Sequence, residues 1–235
     1  AINYTKLFGM SGSPYRNVGS DLITEGILGP QIINITAASL IKRGILAQPI
    51  ITFVNVPKIP IGSKHYADIY REYIVENDMR NSIILNKTKQ LISKGYSPLV
   101  LFKQIAHGDI LFKLFQKNDI KCALLSGKDT LEKRNEVKDA YNKGDIDVII
   151  ASSIFEIGVD IPKLNSYINA SGGKSYVRIL QKVGRVIRQY PGKKQAVIIE
   201  FMDNCRMLNK HSQVRLETYQ LEDGFIVKMP KESYK

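Results

Sequence analysis

Arg185 and Arg188 stand three residues apart, with Gln181 and Gly184 just ahead of them and Gly158 and Asp160 further upstream. On a helix, residues at that spacing emerge on one face. A guanidinium is planar, permanently ionised and able to donate two parallel hydrogen bonds, so it suits charge developing on a transferring phosphoryl group. An arginine supplied by a neighbouring domain can complete such a site. The competing reading is a solvated helix face, which leaves the Gln181, Gly184 and Gly158-x-Asp160 spacings unexplained. Gly172-Gly173-Lys174-Ser175 suggests a phosphate-cradling loop, but that motif needs a glycine five positions before Gly173, where Ile168 stands. No strand ends in an Asp-Glu pair that would hold magnesium. By itself the chain lacks both halves of a nucleotide-hydrolysis centre and carries what would complement one.

These residues need strands and helices to position them. Residues 148–152 and 166–170 are short continuous apolar runs of the kind that form buried parallel strands. From residue 99 the pattern alternates: strand 99–102, helix 107–118, strand 121–125, a Ser126-Gly127 loop, helix 130–142 and strand 147–151, with another strand at 195–201. That alternation predicts βαβ crossovers and a doubly wound parallel sheet flanked by helices. Ligands bind such sheets at the carboxyl ends of the strands. Residues 64–91 carry a helical period in which Tyr66, Ile69, Tyr70, Tyr73 and Ile74 recur every three or four positions, so the tyrosines are expected in the core rather than stacked on bases. Ahead of them the sequence predicts a helix at 21–28, a strand at 31–36, a helix at 37–43 stopped by Gly44, and a β-rich run at 49–56. Pro57, Pro60 and Gly62 give the next stretch a linker composition. The expected organisation is a first segment at 1–46, a linker at 47–62, the main domain at 63–203 and an extension at 204–235 with a basic helix and a hairpin near 222–224.

The net charge of +12 and pI near 9.5 favour a polyanionic partner. Two cysteines, Cys122 and Cys205, and three widely separated histidines give no zinc spacing and no disulfide framework, which points to a reducing cytoplasmic setting. No apolar run is long enough to span a membrane. With 44% apolar residues in 235, the chain can build a proper core. It opens at Ala1 on what reads as the end of a strand, so a fragment is expected, with part of the active site upstream.

Gln181-x-x-Gly184-Arg185-x-x-Arg188 resembles motif VI of superfamily 2 helicases, and Ser152-x-x-x-Glu156-x-Gly158-Val159-Asp160 resembles their motif V. Residues 99–104 resemble motif IV, Ser126-Gly127 with Arg134 falls in the loop between motifs IV and V, and Ser11-Gly12-Ser13-Pro14-Tyr15-Arg16 resembles motif III. The region around Gly29-Pro30 and Leu40 to Pro49 is most similar to DNA translocases of the phage UvsW-like, branch-migration type. The resemblance implies a second RecA-like domain preceded by a remnant of the first.

It also implies roles. Arg188 would be the arginine finger, Arg185 a second γ-phosphate contact and Gln181 a coupling residue; Gly158 and Asp160 would lie against the nucleotide. Ser152, standing where threonine is common, would meet a nucleic-acid phosphate, and Lys103, Gln104, Ser126 and Gly127 would line the strand-tracking surface. ATP and Mg2+ would be held mainly by the missing domain. Groups of these types read phosphate and carry no base information, so binding to DNA should be sequence-independent. The function implied is that of the C-terminal motor domain of an ATP-dependent DNA helicase in recombination, repair or replication, in a bacterial or phage-infected cell. Gln181, where some relatives have histidine, leaves DNA versus RNA open. An RNA helicase, a restriction-system motor and a non-catalytic nucleic-acid-binding module are the alternatives.

Overall fold

The computed structural model describes residues 8–10, 21–152, 161 and 163–230. Seven strands form one sheet in the order β3-β4-β2-β5-β6-β1-β7. They are β1 (Gln48–Val56), β2 (Pro98–Phe102), β3 (Cys122–Leu125), β4 (Val148–Ser152), β5 (Ser166–Asn169), β6 (Gln195–Asp203) and β7 (Ile226–Lys228). Every pairing is parallel. Parallel neighbours need crossovers, and helices on both faces supply them, which is why β2 and β4 are buried at every position. Alternate side chains feed separate cores. Val100, Phe102, Val148, Ile150, Ile168 and Phe201 pack on one face, and Leu99, Leu101, Ile149, Tyr167, Ile198 and Phe53 on the other. This is the expected RecA-like, doubly wound sheet.

The first core is closed by α3 (Tyr66–Tyr70), a π-helical turn (Arg71–Val75), α4 (Asp78–Ser93) and α5 (Ile105–Gln116). The second is closed by α6 (Leu131–Lys143), α7 (Tyr176–Val186) and the later turns of α8 (Arg206–Gln220). Two short helices, α1 (Asp21–Leu28) and α2 (Ala37–Lys42), precede β1. The helix ends obey local chemistry. Thr130 caps α6 by accepting from the Lys133 amide, and Gly144 closes it at φ 90°. Among the described residues no helix is long and apolar enough to cross a membrane.

Four expectations change. The helical stretch at 64–91 is broken, because the Asn77 side chain accepts from the Arg80 amide and starts a new helix after the π-helical turn. Residues 31–36 are not a strand; Ile32, Ile33 and Ile35 are exposed, and no described strand pairs with them. The stretch 47–62, read as a linker, contributes β1, whose nine residues pair with β6 from Gln48↔Gln195 to Val56↔Asp203. Only residues 57–62 keep the linker's proline-rich, irregular character. The tail has its basic helix, α8, but β7 runs parallel to β1 and so forms no hairpin.

Close packing behind the edge of the sheet makes one substitution decisive. A Cβ on Gly108 of α5 would lie 2.5–2.8 Å from the Phe102 ring, which is buried at the end of β2. Gly108→Ala is therefore expected to destabilise the fold by about 1–3 kcal/mol, the usual cost of overpacking. Urea unfolding checks this; an unchanged midpoint would mean the ring moves aside freely.

Candidate nucleotide and nucleic-acid interface

The parallel register gathers polar residues at one edge. Phe102 pairs with Ser152 and Leu125 with Ala151, so Ser126, Ser152 and Lys103 end three adjacent strands at nearly one level. Lys103 is exposed and Gln104 half-buried at the start of α5. The Ser126-Gly127 loop is held rigidly. The Ser126 amide donates to Asp129 Oδ2 at 2.6 Å and its hydroxyl to the same oxygen at 3.1 Å. Arg134 Nη2 donates to the Ser126 and Gly127 carbonyls at 3.4 and 3.2 Å. Ser152 is 3% exposed, and its Oγ has no hydrogen-bond partner among the described residues. A buried hydroxyl left without a partner costs free energy, and a ligand oxygen would relieve that cost.

The next strand along, β5, ends in the Ser171-Gly172-Gly173 loop, with both glycines at positive φ. Buried donors take its carbonyls in turn. Arg80 Nη1 donates to Ala170 O at 2.9 Å, Tyr70 Oη to Ser171 O at 2.8 Å and Arg215 Nη1 to Gly173 O at 2.8 Å. Both arginines have 0% exposure. Their charge is compensated: Arg80 Nε meets Asp203 Oδ1 at 2.9 Å, and Arg215 Nε meets Glu200 Oε2 at 2.8 Å. Asn169 Nδ2 and Tyr219 Oη complete the shell around Glu200 at 3.0 and 2.8 Å. Burial pushes the Tyr219 hydroxyl well up, with the Glu200 charge adding to it, so it stays a donor. The glycine loop is thus a fixed turn on an ionic core and not a nucleotide cradle. Sequence reasoning missed this network. Its only signals were charged residues inside otherwise apolar runs, such as Glu200 within β6.

Helix α7 leaves that loop and carries the arginines away from the carboxyl edge. Ile179, Val183 and Val186 are buried against the sheet, while Arg178 and Gln181 face outward and Arg185 is half-buried. The guanidinium of Arg185 has no hydrogen bond or ion pair to any described residue. A Cβ on Gly184 would meet nothing within 4 Å, which leaves open space beside Arg185.

Arg188 departs from expectation. The helix ends at Val186, and Arg188 lies beyond it, in an isolated antiparallel bridge with Leu46. Burial of Ile187 and the bond from Ala47 N to Ile187 O at 2.8 Å pull the chain off the helix and along the start of β1. Lys193 Nζ fixes the turn by donating to Arg188 O at 2.8 Å and Leu164 O at 2.6 Å. Burial lowers the Lys193 ammonium to about 8. Arg185 and Arg188 therefore stand towards the amino-terminal end of the sheet, away from Ser126, Ser152 and Lys103.

A family profile described as the helicase conserved C-terminal domain matches residues 73–189, from the π-helical turn through Arg188. The chain contains a superfamily 2 helicase C-terminal domain. The ATP-dependent DNA helicase UvsW of Enterobacteria phage T4 is 27% identical over 214 residues, 88% of this chain and 42% of that protein. A protein named as a helicase in Sulfolobus islandicus filamentous virus is 27% identical over 236 residues, 93% of this chain and again 42% of its own length. The chain thus spans about two fifths of these curated relatives. The crystal structure of T4 UvsW matches with a TM-score of 0.62 at 24% identity, covering 78% of this chain and 41% of that one. S. cerevisiae Dbp5 bound to RNA and ADP BeF3 matches with a TM-score of 0.59 at 13% identity, covering 93% and 50%.

Within the helicase domain, the matched stretch holds β2 to β5 and all the candidate residues that are described. The strands outside it, β6, β1 and β7, are neighbours on one side of the sheet. Glu156, Gly158, Val159 and Asp160, and the motif III-like residues 11–16, lie outside the described residues. Among the described residues no group of three or more His, Cys, Asp or Glu side chains is placed to hold a metal ion.

Proposed function

We propose that this chain is the second motor half of an ATP-dependent superfamily 2 DNA helicase or translocase, acting on branched or duplex DNA in the cytoplasm of a bacterial or phage-infected cell. The observation that carries this reading is the separation of two polar groups on one sheet. Ser126, Gly127, Ser152, Lys103 and Gln104 crowd the carboxyl ends of three adjacent strands. Gln181 lies midway along α7, Arg185 near its far end and Arg188 in the turn beyond it. A motor must grip a strand with one surface and sense a nucleotide with another, and these two groups can do both without competing for one site. The similarity to UvsW over most of the chain supports DNA as the polymer.

On this reading residues 1–46 belong to a first RecA-like domain, and the exposure of Ile27, Ile32, Ile33 and Ile35 fits a segment that packs against more of that domain. ATP binds between the domains, with its phosphates and Mg2+ held by the first; the metal's part there is to neutralise phosphate charge. Arg188 and Arg185 approach the γ-phosphate from this side, with Gly184 leaving room for it. Gln181 couples nucleotide to helix α7, and Gly158 and Asp160, outside the described residues, would be further nucleotide contacts. Neighbouring strands lie about 4.8 Å apart, so the edge from β3 to β5 spans roughly 14 Å. That is enough for about four phosphates at the spacing of one strand of duplex DNA.

ATP turnover by the protein containing both domains, measured with branched DNA, linear duplex and RNA as separate stimulants, tests the reading. Stimulation by DNA is expected, greatest with the branched form; stimulation by RNA alone would reassign the substrate, and none by any of them would overturn the motor. With about four phosphate contacts, DNA affinity should fall on the order of a hundredfold between 50 and 200 mM salt. Anisotropy titrations check this, and a flat salt dependence would remove the phosphate-tracking edge.

A further inference from the structure

Five residues of the 64–75 stretch share the helical period expected of core packing, and four of them obey it. Ile69, Tyr70, Tyr73 and Ile74 are buried. The two buried tyrosines also spend their hydroxyls internally, Tyr70 on Ser171 O and Tyr73 on Val56 O and Pro57 O. Tyr66 is the exception. It is 37% exposed, and its hydroxyl makes no hydrogen bond to any described residue.

Its ring is nevertheless held in place. The His211 ring of α8 lies 5.8 Å away and the Tyr70 ring 6.0 Å away, both tilted against it. The approach of α8 is fixed by Arg206, whose guanidinium donates to the Ser63 and Ile61 carbonyls just ahead of Tyr66. A lysine lies against this aromatic group. Lys103 Nζ sits 5.4 Å from the centre of the Tyr70 ring. Burial first, and then the charges of Lys174 and Arg215, lower the His211 imidazole against the opposing charge of Asp203, with Lys103 adding a smaller push down, so at neutral pH it is an uncharged ring. Lys103 is the exposed cation already placed on the carboxyl edge, and Lys174 comes directly after the glycine loop next to it along the sheet. Tyr66 therefore sits where the row from Ser126 through Ser152 and Lys103 continues past β2.

A preoriented, half-exposed ring flanked by lysines is what an unpaired base needs. The base stacks on the ring face while the lysines meet the flanking phosphates, and because every base has a π face the contact is sequence-tolerant. A base inside a duplex offers no free face. Resting on the nucleic-acid reading above, we propose that Tyr66, backed by His211 and Tyr70 and flanked by Lys103 and Lys174, is a stacking platform that makes this end of the track specific for single-stranded DNA.

The test is anisotropy binding of the protein containing both domains to a fluorescein-labelled oligothymidylate of about fifteen nucleotides, within the usual site-size range, and to a blunt duplex of the same length. Tyr66→Ala is expected to weaken single-strand binding by about five- to a hundredfold, the range for loss of one stacked base, and to leave duplex binding within about twofold. Tyr66→Phe keeps the ring and should bind the single strand within about twofold of wild type, which separates stacking from any effect on folding. The platform is overturned if Tyr66→Ala holds the single strand as well as wild type does, or loses single strand and duplex in equal proportion. Wild-type protein that binds neither DNA would overturn both the platform and the reading beneath it. Salt-sensitive wild-type binding with an indifferent Tyr66→Ala would overturn the platform alone.

Discussion

In the protein carrying both motor domains, Arg188→Ala should reduce ATP turnover by about a thousandfold or more, the usual worth of an arginine that stabilises a transferring phosphoryl group. DNA binding should stay within a few-fold, because Lys103, Ser126 and Ser152 end strands at the opposite edge of the sheet. The local fold should also hold. The turn is anchored by main-chain atoms, with Lys193 on Arg188 O and Ala47 N on Ile187 O, and these survive loss of the side chain. Steady-state turnover at saturating ATP and DNA, with thermal melting as a folding control, is the measurement. Turnover within about threefold of wild type would remove Arg188 from the reaction. Arg185→Ala should act in the same direction; if it alone were damaging, the finger would be the residue on the helix and not the one beyond it.

Arg215→Met should be the most destabilising single change in the domain. It leaves Glu200, 0% exposed, without its counter-ion, deprives Asp203 of a contact at 3.5 Å and removes the donors to Gly173 O and Phe201 O. Breaking a buried ion pair from one side costs about 3–5 kcal/mol, because the remaining charge has no water to return to. The urea midpoint should fall by more than about 1 M. Adding Glu200→Gln should recover a good part of that loss, since an uncharged amide can still accept from Tyr219. An unchanged midpoint in the single variant would mean that water reaches Glu200. A double variant less stable than the single one would mean that the carboxylate serves Asn169 and Tyr219 more than it serves Arg215.

The two expected results depend on different kinds of information. Arg188 could be picked out from the chain alone, because an arginine three residues after another, behind Gln181 and Gly184, is a local pattern. Arg80, Glu200, Asp203 and Arg215 could not. The Arg80–Asp203 bond joins residues 123 positions apart, and nothing local distinguishes Arg215 from the other basic residues of a surface-like helix. Tyr66 shows the same limit at close range: it shares the helical period of its buried neighbours, and only the way α3 meets α8 leaves it exposed.

The strands were legible for a physical reason. A parallel strand covered on both faces must be apolar at every position, so β2 and β4 appear as unbroken apolar runs, and their carboxyl ends are located with them. Lys103, Gln104, Ser126, Gly127 and Ser152 were locatable for that reason, as residues at strand ends. By itself, then, the sequence determined the class of fold, the kinship with helicase C-terminal domains and the residues at the strand ends, because each is set by local pattern. Tertiary structure alone decided that β1 belongs to the sheet, that Arg188 leaves its helix to bridge Leu46, and that four buried charges hold the glycine loop. Each of those is fixed by contacts between segments far apart in the chain, and their free energy exists only once the sheet has brought the partners together.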